Sequence, residues 1–203
     1  YCIKLAATQS DRVIVPFIST KQFIMEQFKV PESRVELIPY GVDHSRFFPN
    51  SGYEQGKSLN ASKAELKIVF IGQLTKAKGV DSLIRAFPAV KRAVPNAKLY
   101  VCSGGWHEDY IRGIWETSPV KEHIVLTGHI PEEKIRENYA DADVTIFPSR
   151  YGFGLPTLES MACGTPAIAG RTLDAVDFIQ DQEALMVNPE DIEEIADALI
   201  RTL

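Results

Sequence analysis

The chain has 203 residues, 45% of them apolar and 24% charged, close to globular averages, which excludes disordered and fibrous classes. Its net charge of −5 argues against a nucleic-acid partner, because such proteins carry a basic face. An anionic ligand must therefore be held by local groups. Cys2, Cys102 and Cys163 lie far apart with no C-x-x-C pair, so neither a disulfide framework nor a zinc site is expected.

In chain order, residues 12–17 read as a strand, 19–28 as a helix with a Ser or Thr cap, and 34–39 as a second strand. This β-α-β unit, residues 1–48, is too small to bury a core alone and is read as the end of a domain whose larger part is absent. Residues 49–65 are rich in Ser, Gly, Asn and Lys and read as a linker or insertion. Asn60-Ala61-Ser62 matches a glycosylation acceptor, a short pattern that arises by chance. From residue 66 onward, β-branched runs at 67–72, 98–103, 123–128, 144–149, 166–170 and 184–188 alternate with amphipathic stretches. The runs are continuous rather than alternating in polarity, as in strands buried on both faces. Helices are expected after Gly79, where Pro88 should bend or shorten the element, and at 107–117, 132–140, 156–163 and 189–202. Pro156 suits a first helical position and Gly164 the residue past the end. Residues 66–203 thus read as an α/β domain, a doubly wound parallel sheet with right-handed crossovers. No apolar run approaches the about 20 residues of a membrane helix, and no charged-then-apolar leader opens the sequence. A soluble, cytoplasmic chain is expected.

Ligands of open parallel sheets bind beyond the carboxyl ends of the strands. Gly72-Gln73-Leu74-Thr75-Lys76-Ala77-Lys78-Gly79 follows the first strand of that domain. Its glycines allow close backbone approach and its lysines offer charge to a phosphate, although a plain turn with solvated lysines reads equally well. Gly152-Phe153-Gly154-Leu155-Pro156-Thr157 leads from the fourth strand into a helix, where free N–H groups and the helix dipole make an anion site. It half-matches G-x-G-x-x-G, but Thr157 replaces the third glycine, which argues against NAD. Glu159, placed in the first turn of that helix, either caps it or accepts hydrogen bonds from sugar or ribose hydroxyls. Asp141-Ala142-Asp143 reads as turn residues rather than a metal motif. His44, His107, His123 and His129 show no metal-ligand spacing.

Together these stretches resemble the retaining glycosyltransferases of the GT-B fold. The match runs through Ile38-Pro39-Tyr40-Gly41-Val42-Asp43 with Phe47 and Pro49, then Phe70-Ile71-Gly72-Gln73-Leu74, Lys78-Gly79-Val80-Asp81 and Leu126-Thr127-Gly128. Its most specific part is Pro148-Ser149 followed by residues 152–166. The resemblance implies a Rossmann-like C-terminal half of a GT-B fold with a small remnant of the N-terminal acceptor domain. It implies transfer of a hexose from a nucleoside-diphosphate sugar to a carbohydrate or lipid-linked acceptor, with retention and without a metal or other cofactor. Lys78 would contact the diphosphate, Glu159 the ribose, Ile130 the base, and residues 152–157, with Gly72 and Gln73, the phosphate and donor sugar; Lys78 and Glu159 are the catalytic candidates. Roughly 150 residues of the acceptor domain are expected to be absent, leaving this chain able to bind a donor but not to turn it over. Peripheral contact with the inner membrane would lie in that absent domain.

Two departures stand out. The family carries a glutamate just before the Gly-Phe-Gly run, which here is deleted or replaced by Tyr151, and an arginine at the place of Gln73. Lys76 or Arg150 are candidates to restore the lost charge. These changes also admit a non-catalytic nucleotide-sugar-binding relative or scaffold. A sugar-nucleotide epimerase of related fold is a remoter reading.

Overall fold

The computed structural model describes residues 2–52, 63–102, 104–105, 107–152, 154–177, 179 and 183–203. The expected glycosylation match and most of the expected linker lie outside the described residues.

A helix the sequence reading did not anticipate, α1 (Cys2–Gln9), opens the chain, followed by β1 (Val13–Val15), α2 (Ile18–Phe28) and β2 (Val35–Leu37). β1 and β2 pair in parallel, Val13 against Val35 and Val15 against Leu37. Ala7, Val15, Ile24, Val30 and Val35 form a small core of their own. The expected Ser or Thr cap on α2 is corrected: Phe17 holds the N-cap position and gives no side-chain cap. Ser19 sits inside the first turn, its N–H donating to Asp177 Oδ2 (3.2 Å) and its hydroxyl to Asp174 Oδ1 (2.8 Å). Carboxylates from far along the chain thus meet the positive end of this helix.

The larger sheet contains β3 (Leu66–Ile71), β4 (Ala97–Cys102), β5 (Ile124–Gly128), β6 (Val144–Phe147), β7 (Ala167–Gly170) and β8 (Leu185–Val187). All neighbours are parallel, in the order β5-β4-β3-β6-β7-β8. This is the doubly wound, Rossmann-like sheet that the alternating runs predict. The crossover helices are α3 (Val80–Ala93), α4 (Glu108–Glu116), α5 (Glu132–Ala140), α6 (Leu155–Ala162) and α7 (Leu173–Val176), and α8 (Ile192–Thr202) follows β8. Asp191 caps α8, its carboxylate accepting from the N–H groups of Glu193 and Glu194 at 3.0 Å each. Among the described residues no helix is long and apolar enough to cross a membrane.

Pro88 does not shorten α3, which runs five residues beyond it. Proline inside a helix costs about 3 kcal/mol. Leu83, Ile84, Phe87 and Val90 on the same helix are fully buried, and each contributes about 1.5–3 kcal/mol, so burial outweighs the lost hydrogen bond.

Asp143 is also more than a turn residue. It is 2% exposed, accepts the Lys67 N–H at 2.8 Å, pairs with the Lys63 ammonium, and donates its own N–H to the Lys67 carbonyl at 2.9 Å. It therefore ties the start of β3 to the start of β6, while Asp141 accepts from Asn50. Asp143→Ala should lower stability by about 2 kcal/mol, because it leaves the part-buried Lys67 N–H without its acceptor and opens a gap where a buried carboxylate stood. Urea denaturation followed by far-ultraviolet circular dichroism reads this as a lower midpoint at unchanged slope.

Candidate functional site

The sheet order reverses between β3 and β6: the chain runs outward through β4 and β5, then returns to continue on the other side. Loops leaving two such strands diverge to opposite faces and open a crevice between them. Gly72–Gly79 and the segment after Phe147 are those loops.

The first loop folds into a single 3₁₀ turn, Lys76–Lys78, closed by Gly79 at φ 71°. A Cβ at Gly79 would stand 1.9 Å from the Pro148 carbonyl oxygen, so the two loops meet backbone to backbone and only glycine fits. Two further bonds strap them: the Arg150 N–H donates to the Ala77 carbonyl at 2.8 Å, and the Ser149 hydroxyl donates to the same oxygen at 3.2 Å. Phe147, at the end of β6, fills the space beneath. Its ring stacks on Phe70, centroids 5.8 Å apart, and occupies the volume that a Cβ at Gly72 or Gly154 would need (2.8 and 2.1 Å). The ammonium of Lys78 lies 5.5 Å from the centroid of the same ring, within cation–π range. The structure thus gathers Gly72, Gly154 and Lys78 about one aromatic side chain that the sequence reading took simply as strand.

The other cations of these loops are engaged elsewhere. Arg150 forms a forked pair with Asp81 (2.6 and 3.2 Å), donates to Ser82 Oγ (2.8 Å) and to the Lys76 carbonyl, and pairs with Glu190. Burial works against its charge, but Asp81 and Glu190 outweigh it and raise its pKa above the usual arginine value. Such a guanidinium is a structural bracket and does not replace the positive charge absent at Gln73. Lys76 places its ammonium 4.4 Å from the Tyr110 ring centroid. Gln73 is exposed, as is Tyr151, at 73%.

Helix α6 begins at Leu155, with Gly154 as its N-cap residue and Pro156 as its second. Pro156 has no N–H, and the Thr157 N–H bonds to the Gly154 carbonyl at 3.0 Å. Among the described residues, the N–H groups of Gly154 and Leu155 have no protein acceptor, and they carry the positive end of the dipole. Gly152 turns the chain at φ 69°. The Thr157 side chain is buried, with no hydrogen-bond partner for its hydroxyl. Phe153 lies outside the described residues.

Glu159 is the fifth residue of α6, so it stands in the second turn rather than the first and cannot cap the helix. Its Oε2 accepts the Tyr139 hydroxyl at 3.0 Å. Burial raises its pKa above the ordinary glutamate value, opposed by the Tyr139 hydrogen bond and by the charge of Arg46. Ile130, half-buried between β5 and α5, stands at the same end of the sheet, but in the loop after the edge strand. Tyr139 and Arg46 carry no motif signal that a sequence reading could use. A groove of about 480 Å³ is lined by Arg46, Phe47, Phe48, Glu132, Glu133 and Arg136, none of them an expected site residue.

Residues 65–203 match the sequence profile of the family described as Glycosyl transferases group 1. An uncharacterized glycosyltransferase of Methanocaldococcus jannaschii is 30% identical over 98% of this chain and 52% of its own length. The GDP-mannose-dependent alpha-(1-6)-phosphatidylinositol monomannoside mannosyltransferase of Mycolicibacterium smegmatis is 31% identical over 94% of this chain and 53% of its own. The chain therefore spans about half the length of these relatives. Among solved structures, Anabaena HepE in complex with UDP and glucose superposes with a TM-score of 0.81 at 17% identity, covering 98% of this chain and 55% of that one. That likeness bears on the fold.

A carboxyl whose folded pKa is raised binds its proton more tightly in the folded state, so its favourable contribution is present at low pH and lost as pH rises through that pKa. Neutral glutamine escapes this loss. Glu159→Gln should raise the melting temperature by about 2 °C at pH 8, with the gain vanishing toward pH 4, as followed by circular dichroism. A lower melting temperature at pH 8 would contradict the assignment of burial as the dominant influence on Glu159.

Proposed function

Because the chain belongs to the group 1 glycosyl transferases, we propose that it supplies the donor-binding part of an enzyme that moves a hexose from a nucleoside-diphosphate sugar to a carbohydrate or lipid-linked acceptor, with retention of configuration and without a metal. The observation that carries this reading is the gathering of Lys78, Gly72 and Gly154 about Phe147 at the strand-order reversal, with the N–H groups of Gly154 and Leu155 lacking an acceptor among the described residues. One ammonium and two fixed amides suit the diphosphate of a donor. Negative charge builds there as the nucleoside diphosphate departs, and preorganised donors stabilise it without moving. Glu159, four and five residues along from those amides, accepts ribose hydroxyls in this reading, Ile130 borders the base, and Gly72, Gln73, Gly152 and residues 154–157 line the phosphate and sugar.

The reading is supported by the M. smegmatis relative, named for its use of GDP-mannose, and by the HepE complex with UDP and glucose. These two differ in base and in sugar, and the feature they share is a nucleoside diphosphate. Residues 1–48 belong in this reading to an acceptor domain, residues 49–65 to the link between domains, and residues 66–203 to the donor domain. Acceptor-side groups and any membrane contact would then reside in the acceptor domain.

A second reading, a nucleotide-sugar-binding relative without turnover, draws on one observation: Arg150 is spent on Asp81 and Glu190 while Gln73 offers no charge. Donor hydrolysis by the longer protein separates the two. For the diphosphate site itself, calorimetric titration of the 203-residue chain with UDP, GDP and ADP should give heat for at least one. Lys78→Met should weaken that binding about tenfold, as expected for one charge-assisted contact. Silence with all three nucleotides would sink the proposal.

A further inference from the structure

Glu159 carries three rotatable side-chain bonds, and a flexible acceptor loses rotamer freedom each time it binds. The structure holds it from behind. Tyr139 is 1% exposed, and its hydroxyl reaches Glu159 Oε2 at 3.0 Å. Among the described residues, Oε1 of the same carboxylate has no protein donor.

The ring has no room to turn away. Phe47 packs on it at 6.2 Å between centroids in a tilted arrangement, and Val42, Ile71, Ile135 and Cys163 belong to the same cluster. The Thr165 hydroxyl fixes the backbone of Tyr139 by donating to its carbonyl at 2.6 Å. Phe47 is itself held by a turn in which Asp43 accepts from the N–H and hydroxyl of Ser45 (2.9 and 2.7 Å) and the Phe47 N–H reaches the Asp43 carbonyl (2.9 Å). The run from Tyr40 to Phe47, which found no role in the diphosphate site, therefore ends by seating Tyr139. Burial raises the tyrosine's pKa, keeping its hydroxyl a donor.

We propose that Tyr139 is a positioning residue that fixes Glu159 through one oxygen and leaves the other to take a ribose hydroxyl, so that the choice of a ribonucleotide donor rests on the Tyr139–Glu159 pair. This rests on the reading of Glu159 as the ribose acceptor. The test measures the affinity of the 203-residue chain for whichever of UDP, GDP or ADP it binds most tightly, and for the 2′,3′-dideoxy form of that nucleotide.

The wild-type chain should prefer the ribonucleotide about tenfold or more, as expected for a hydrogen bond to a charged group. Tyr139→Phe keeps the ring and its packing. It should shrink that preference by about threefold to tenfold, leaving the dideoxy affinity and the binding of inorganic pyrophosphate unchanged. On a Glu159→Ala background the same substitution should leave the ratio unaltered. A wild-type ratio in Tyr139→Phe, an equal loss for both nucleotides, or a persistent effect without Glu159 each overturns the proposal. If instead the wild-type chain binds both forms equally, the reading of Glu159 fails first and takes the proposal with it.

Discussion

One aromatic ring governs the geometry of the candidate site. Phe147 ends β6 at the point where the strand order reverses, and two glycines, Gly72 and Gly154, leave the volume that its edges occupy. A methyl group at either position would push on the ring, and the ring would push on Phe70 below it and on Lys78 beside it. Close-packed interiors transmit such strain rather than absorb it. The ammonium and the start of α6 thus keep their spacing because both are referenced to one rigid, buried object. The glycines of these two loops serve the protein's own packing first, Gly79 and Gly154 both lying buried in it.

The charges around the site divide into those that build it and those that remain for a ligand. Arg150 is nearly buried and fully engaged, and removing one partner of such a group costs far more than the pair itself contributes. Arg150 joins the 3₁₀ turn, the first turn of α3 and the segment between β8 and α8 into one network. Among the described residues, Lys78 and Glu159 lack comparable partners: one rests over an aromatic face and the other holds a tyrosine hydroxyl.

Much of the sheet was legible because its signal is local and repeated. Strands buried within a parallel sheet are largely apolar, and the runs at β6 and β7, buried at every residue, show this most clearly. Gly164, expected just past α6, is there at φ 80°, since only a residue free of Cβ takes that conformation easily. What escaped the sequence is whatever depends on a partner far along the chain. The cap of α2 comes from Asp177 instead of a neighbouring serine or threonine. The turn assigned to Glu159 was wrong because Pro156, at home in the first position of a helix, here takes the second. Tyr139 looked like any half-apolar residue of α5, and its hydrogen bond spans twenty positions. Arg150 was a candidate to restore a missing charge until Asp81 and Glu190, 69 and 40 positions away, were seen to hold it.

Gly79 and Gly170 press on the same short stretch from two sides: a Cβ on the first would meet the Pro148 carbonyl, and one on the second the Ser149 carbonyl at 2.2 Å. Pro148 and Ser149 are in effect set in a vice, its jaws formed by the loop after β3 and the end of β7. Bending stress applied further along the loop cannot be relieved there. It falls on the first joint beyond the clamp, where Tyr151 projects into solvent and Gly152 tolerates backbone angles that other residues resist.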